Sequence, residues 1–209
     1  MQYSNRYSSN PIWLSVFPEE SRSALPRECE VFTLGESSDD VVYFVEQGAV
    51  VEIRTDHVGT SHAVGLSGPG TLFGSRLGAT LISRTSVRAT TLIETIVRSM
   101  SRSVFLHTTL GDPELARAYM TQLARRLELV RQLSALCSTR SSGEHILGVL
   151  RTVANVFGVD ATGTSTIPVP SLLLERMTGT PHRIVDATLR ELRSNGLVEL
   201  DRDTIRWVT

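Results

Sequence analysis

The chain has 209 residues, of which 41% are hydrophobic and 21% charged, and its formal net charge is -1. That is an ordinary globular profile with room for one large domain or two small ones, and a basic face for nucleic acid would have to come from local arrangement. Cys29 and Cys137 are too few for a disulfide framework or a four-cysteine iron-sulfur cluster; with no apolar run of membrane-span length and no signal-peptide pattern, a cytoplasmic location is expected.

Met1 to Asn10 is polar and expected to be loosely held. A short helix is expected within Ile12 to Leu25, with Trp13, Leu14 and Phe17 on its apolar side. From Cys29 to about Met100 short runs rich in Val, Ile and Phe alternate with Gly, Ser and Asp. Val41 to Glu46, Ala49 to Arg54, Ala63 to Leu66, Ser86 to Thr90 and Ile93 to Arg98 read as strands. Strands of this length at this spacing predict a double-sheet jelly roll or a barrel.

Asp112-Pro113 opens a long helix, with proline at the first position where its missing amide costs nothing. Ala116, Met120, Leu123, Leu127, Val130, Ser134 and Cys137 then recur at steps of four and three, a heptad seam. Leu115, Leu129, Leu133 and Leu136 add a second stripe. A helix with two such faces needs two partners, so one stripe is expected to cover the β-domain and the other to meet a second copy of the chain. Thr139 to Gly143 reads as a polar hinge, Glu144 to Phe157 as an amphipathic helix, and Gly158 to Pro170 as a loop.

Val169 to Val198 reads as two short helices with a tight break. Ser171 is placed as the N-cap of the first, with Leu173, Leu174 and Met177 at helical spacing behind it. Gly179 can take the positive φ of a sharp turn. Thr180 is placed as the cap of the second helix and Pro181 just inside it, with Ile184, Val185, Thr188, Leu189 and Leu192 as the buried stripe and Asn195-Gly196 as the stop. His182, Arg183, Asp186 and Arg190 are left on the exposed side. This is a helix-turn-helix whose second helix can enter a major groove by its N-terminal end. Two strands, Leu197 to Leu200 and Thr204 to Val208, add a wing, with Arg202 at its tip. The bland alternative is a helical hairpin packed on a small sheet. All 21 cations of the chain are arginine, so each offers a planar fork rather than a point charge.

Three stretches in this order carry a resemblance. DDVVYFVEQGAVVEI looks like a strand-turn-strand with glycine at the bend, GPGTLFG like the start of an effector-pocket loop, and LARRLELVRQL like a dimer helix. With the winged helix that follows, nearly the whole chain resembles the CRP/FNR family of bacterial transcription regulators. The resemblance implies an α+β protein: an N-terminal jelly-roll domain like those that bind cyclic nucleotides (residues 1-110), a dimerisation helix (111-139) and a C-terminal winged helix (140-209). It also implies double-stranded DNA with a two-fold operator as partner, a homodimer, RNA polymerase as a further partner, and a small-molecule effector.

The departures from the family are specific. Cyclic-AMP-binding members have a glutamate after the pocket-loop glycine, where this chain has Ser75 after Gly74. Their arginine-serine pair falls here on Ser83 and Arg84, and two hydroxyl residues of the dimer helix correspond to Val130 and Arg131. Each unpaired polar group of a buried nucleotide would cost about 1–3 kcal/mol, so cyclic AMP is not expected to bind. Gly74, Ser75, Arg76, Arg84, Thr85, Val130 and Arg131 remain as effector-pocket candidates, and Arg76, Arg84 and Arg88 as the cations nearest to an anionic ligand. No cofactor and no metal is expected; His57, His62 and His107 could be offered as haem ligands, but each reads as a surface-loop histidine. No nucleophile-base pair and no phosphate-cradling glycine motif is evident.

On the recognition helix the family commonly has an arginine, then a glutamate, then a second arginine; here those places hold His182, Arg183 and Ala187. Arginine donates to guanine O6 and N7, whereas glutamate accepts from cytosine, so the hydrogen-bonding sense is reversed. Arg183 is expected to read a guanine with His182 contacting a base or phosphate beside it. Ser171, Thr180 and Arg190 are expected to hold phosphates, with Arg202 as a weaker candidate. The bland alternative for Arg183 is an ion pair with Asp186, three residues along the same face. Rival readings are a DNA binder whose pocket is filled by its own side chains, and a β-roll enzyme or small-molecule binder without DNA function.

Overall fold

The computed structural model describes residues 11–33, 40–55, 57, 59, 61–74, 86–136, 142–157, 164–169, 171–201 and 204–208. The chain divides into two compact units, Ser9–Arg126 and Leu127–Thr209, with the boundary inside a helix.

The first unit begins with α1 (Pro11–Val16) and a single 3-10 turn at Glu19–Ser21. Eight strands follow: β1 (Ser23–Leu25), β2 (Glu30–Thr33), β3 (Val41–Gln47), β4 (Val50–Thr55), β5 (Ser61–Ser67), β6 (Leu72–Phe73), β7 (Ser86–Thr91) and β8 (Thr95–Ser101). They form two antiparallel four-stranded sheets, ordered β1-β8-β3-β6 and β2-β7-β4-β5. The strand runs read from the sequence are all present, with ends displaced by a few residues at most.

Strand periodicity explains the two hydrophobic clusters of this unit. On β3, Val45 points between the sheets with Phe32, Val50, Phe73, Ala89 and Val97. Val42 and Phe44 point the other way, where Trp13, Phe17, Leu72, Phe105 and Leu115 cover them. Phe17 stacks on Phe44 at 5.8 Å between centroids and Trp13 lies 5.7 Å from Phe105. Gly48, at φ +96, makes the β3–β4 bend, and a side chain there would collide with the Thr95 backbone. Arg98 is only 10% exposed at its side chain and binds this end together. Its guanidinium donates to Glu46 Oε2 (3.0 Å) and to the carbonyls of Leu14 and Phe17, and pairs with Glu19.

Residues 102–110, expected within the β-domain without an element of their own, and Gly111, expected in the dimerisation helix, form α2 (Arg102–Gly111). Ser101 caps it by accepting from the Val104 amide, and only Phe105 and Thr109 are buried. A stripe one residue wide, set among serines, threonines and a valine, gives little periodicity to read. Then α3 (Pro113–Leu136) begins as expected, with Asp112 Oδ1 accepting from the amides of Glu114 (2.8 Å) and Leu115 (3.3 Å).

The stripe by which α3 meets its own β-domain differs from expectation. Leu115, Ala118 and Tyr119 join the outer cluster, and the next positions on that face are polar. Gln122 donates to Gly70 O (2.6 Å) and accepts from the Leu72 amide (3.0 Å), completing the backbone at β6. Arg126 pairs with Glu52 of β4 at 2.5 Å. Leu129 is only half-buried, and the side chains of Leu133 and Leu136 lie outside the described residues. On the other face Met120, Leu123, Leu127 and Val130 are 62%, 37%, 51% and 47% exposed.

The second unit contains α4 (Ser142–Phe157), β9 (Thr164–Ile167), α5 (Ser171–Thr178), α6 (His182–Ser194), β10 (Val198–Leu200) and β11 (Ile205–Val208). Ile146, Val149, Leu150 and Val153 of α4 are buried, as are Leu173, Leu174, Val185, Leu189 and Leu192 of the two later helices. The expected two-stranded wing is part of a three-stranded sheet, ordered β10-β11-β9. Residues 164–167 therefore correct the expected loop of 158–170. Thr-Ser-Thr-Ile hides its strand character because Ser165, a small polar residue, points inward; it is fully buried and its hydroxyl donates to Ala154 O.

Candidate nucleic-acid interface

The break between α5 and α6 is built from Gly179, at φ +65, and two residues that precede the helix. Thr180 does not cap α6 as expected. Pro181 occupies the cap position, its carbonyl accepting from Ile184 (2.8 Å) and Val185 (3.2 Å), while Thr180 is buried and its amide donates to Thr178 Oγ1. A buried Thr180 is also a poor phosphate ligand. Likewise Ser171 is the first helical residue of α5 rather than a residue ahead of it. The far end of α6 closes as expected: Leu197 N bonds Leu192 O and Gly196 N bonds Arg193 O, the paired pattern of a glycine-terminated helix.

Packing of Val185, Thr188, Leu189 and Leu192 into the core turns the opposite face outward. Arg183 and Arg190 are exposed on it, with His182 and Asp186 half-exposed. The expected competitor for Arg183 does not form. Asp186 Oδ2 is held by His182 Nδ1 at 3.0 Å, one turn away, and Arg183 has no hydrogen bond or ion pair among the described residues. The other ring nitrogen, His182 Nε2, lies 3.2 Å from Ser171 Oγ. Both nitrogens of His182 are thus taken by protein groups, which sequence spacing alone could not show because the serine is eleven residues back across the turn. Arg190 folds its Nε onto the Asp186 carbonyl (3.2 Å), leaving the rest of its fork outward. Arg202 lies outside the described residues; nearby on the wing Arg206 pairs with Glu199 at 3.0 Å. The positive end of the α6 dipole and the Arg183 fork lie at the same helix end, an arrangement suited to phosphate and base edges.

In the first unit Ser75, Arg76, Ser83, Arg84 and Thr85 lie outside the described residues. Gly74 is buried at the end of β6, and Val130 and Arg131 are exposed on α3. Arg88 is exposed and 3.9 Å from Glu30. His57, His62 and His107 are exposed, and no cluster of metal-ligating side chains occurs among the described residues. Sequence reasoning missed Glu52, which is 3% exposed. It lies two residues after Val50 on the face that points between the sheets, and Arg126 neutralises it. The signal was available: a carboxylate inside the apolar run Val50-Val51-Glu52-Ile53 has to find a cation. Cys29 is a free, half-buried thiol; Cys137 and the Ser134 side chain are outside the described residues. No helix among the described residues is long and apolar enough to cross a membrane.

No protein-family model and no curated protein matches the chain. Solved structures do. FixK2 from Bradyrhizobium japonicum superposes with a TM-score of 0.71 at 21% identity, over 90% of this chain and 92% of that one. The cyclic-di-GMP-responsive global regulator CLP of Xanthomonas campestris gives a TM-score of 0.69 at 20% identity, over 94% and 96%. A CRP-family transcriptional regulator from Thermus thermophilus, TTHB099, gives 0.69 at 19%, over 90% and 92%. At these identities the likeness is one of fold, and it spans both units.

Proposed function

We propose that this chain, which has the fold of the CRP/FNR-type transcription regulators, is itself a homodimeric, sequence-specific DNA-binding regulator working in the cytoplasm. The observation that carries the reading is Arg183: exposed at the second position of α6, without an intramolecular partner among the described residues, and at the helix end that a winged helix offers to the major groove. Its guanidinium matches guanine O6 and N7. The pairing of protomers is supported by Met120, Leu123, Leu127 and Val130, four apolar side chains exposed at heptad spacing on α3. A dimer of this kind reads a two-fold operator, one half-site per α6.

Random-site selection followed by gel shift at graded salt tests the reading. One palindrome should be selected, with guanine at a fixed place in each half-site and a steep loss of affinity with salt. Selection of no sequence would refute it.

The sensor reading is a switch between two dimer arrangements, biased by an effector other than cyclic AMP. A second reading, regulation without effector, is favoured by one observation: the carboxylate that points between the sheets already has its cation in Arg126. Mass spectrometry of small molecules released from natively purified protein separates the two.

A further inference from the structure

We infer that Asp186, His182 and Ser171 form a proton-coupled relay that governs whether the Ser171 hydroxyl donates to a DNA phosphate. The inference rests on the DNA-binding reading above and specifies how the helix-turn-helix is regulated. It starts from one geometric fact: the His182 ring is clamped at both nitrogens, Nδ1 by Asp186 Oδ2 at 3.0 Å and Nε2 by Ser171 Oγ at 3.2 Å. An ionised carboxylate only accepts, so Nδ1 carries a proton in both charge states of the ring. The state of Nε2 then decides what the serine does. In the neutral ring Nε2 is a bare acceptor, and the Ser171 O–H is spent on it. In the imidazolium Nε2 donates to Ser171 Oγ, and the serine proton turns outward, free to bond a phosphate oxygen. One proton is taken up from solvent at Nε2, and only hydrogen bonds change.

The position suits this role. Ser171 opens α5 and His182 opens α6, so the relay spans the two helix starts. Ser171 is half-buried and the His182 side chain is 44% exposed, within reach of a partner yet held by the fold. The charged groups on α6 and the elements packed against it are Arg183, Asp186 and Arg190 on α6 itself, Glu175 and Arg176 on α5, Glu144, His145 and Arg151 on α4, and Glu199 on β10; toward the end of α6 stand Glu191 and Arg193. With Ser171 and Asp186 on the two ring nitrogens, none of the others occupies them. His182 therefore acts as a positioning residue rather than as the base or phosphate contact expected from sequence. Because the protonated ring frees the Ser171 hydroxyl for phosphate, DNA binding takes up a proton and affinity falls as pH rises.

Fluorescence anisotropy on the selected operator, at constant ionic strength from pH 5.5 to 8, tests the relay. The natural chain should bind about three- to tenfold more tightly at pH 5.5 than at pH 7.5, the worth of one ordinary net hydrogen bond. Ser171→Ala and His182→Gln should each flatten that dependence to within about twofold. Ser171→Ala separates the relay from a plain charge effect of the imidazolium: if it keeps the full pH dependence, or if the natural chain has none, the relay is overturned. Loss of all DNA binding at every pH would instead remove the DNA reading. The relay is then decided in the free protein by long-range proton-nitrogen NMR of the ring, which should show the neutral form protonated at Nδ1 and a changed tautomer in Asp186→Asn. A neutral ring protonated at Nε2 would overturn it. The order serine-histidine-aspartate is also that of hydrolytic triads, so ester hydrolysis abolished by Ser171→Ala would overturn the phosphate role.

Discussion

Arg183→Ala is the most direct test of how the proposed interface reads sequence. In the free protein Arg183 is exposed and has no hydrogen bond or ion pair among the described residues, because Asp186 is occupied by His182. Removing it should change folding stability by no more than about 0.5 kcal/mol. The loss should fall on the complex. A bidentate arginine-guanine pair discriminates by about 1–3 kcal/mol, which at 1.4 kcal/mol per decade is roughly five- to 150-fold for each half-site. Two half-sites in one dimer add if they are independent. The assay is anisotropy on the selected operator and on operators altered one base pair at a time. In Arg183→Ala the preference should disappear at one base pair per half-site and persist elsewhere. Arg183→Lys should keep most of the salt dependence but lose the guanine preference, since lysine is a point charge without the fork. Arg190→Ala offers the contrast, weakening all sequences alike. If Arg183→Ala leaves preference unchanged at every position, the assignment of α6 as the reading helix is wrong.

Leu127→Arg puts two cations into the apolar seam of the proposed dimer, and sedimentation should show a monomer with operator binding largely lost; an unchanged dimer would remove the seam from the reading. Arg126→Met leaves the Glu52 carboxylate buried without its cation, which should cost the first unit about 3 kcal/mol in denaturant unfolding, the low end for a buried pair because Arg126 is itself 36% exposed. Adding Glu52→Gln should recover most of that loss, and failure to do so would show that the charge is not the cause. For Glu46, burial works to raise the carboxyl pKa, but the hydrogen bonds and charges of Arg98 and Arg22 outweigh it and hold the group below its ordinary value. A depressed folded pKa gives stability that is complete above the unfolded carboxylate range and is lost as pH falls through the folded value. The stability gap between the natural chain and Glu46→Gln should therefore close on acidification below about pH 4, and a gap that widens would contradict the pairing.

Much of this fold was legible because burial leaves a period in the sequence. The strands of the roll and the stripe of α6 declare themselves by apolar residues at steps of two or of three and four. Where the interior is closed by polar atoms, that signal fails. Ser165 inside β9, Gln122 against the β6 backbone, and the Glu52–Arg126 pair all satisfy buried positions by bonding rather than by apolarity. The same holds at the candidate interface. Helical spacing placed Arg183 on the exposed face, but who holds Asp186, and where both nitrogens of His182 go, depend on the turn that brings Ser171 beside α6. The caps differ from the sequence expectation for a related reason: Thr-Pro and Pro-Ser each permit a helix to start at either residue, and packing of Thr180 into the core decides the first of them.

The pairing of β9 with β11 also sets an order on how the molecule comes into being. β11 is the middle strand of its sheet, so α5 and α6 lie inside a loop that only Ile205–Val208 can close. During synthesis the first unit and α3 leave the ribosome well before that strand exists. The dimer proposed to form through α3 could thus assemble on the nascent chain before the second unit is complete. Translation halted just past Gly196 would yield a subunit that keeps the proposed pairing face on α3 but lacks the strand that closes the second unit's sheet. If the chain pairs through α3 as proposed, mixed dimers of full and halted chains would carry a single half-site reader.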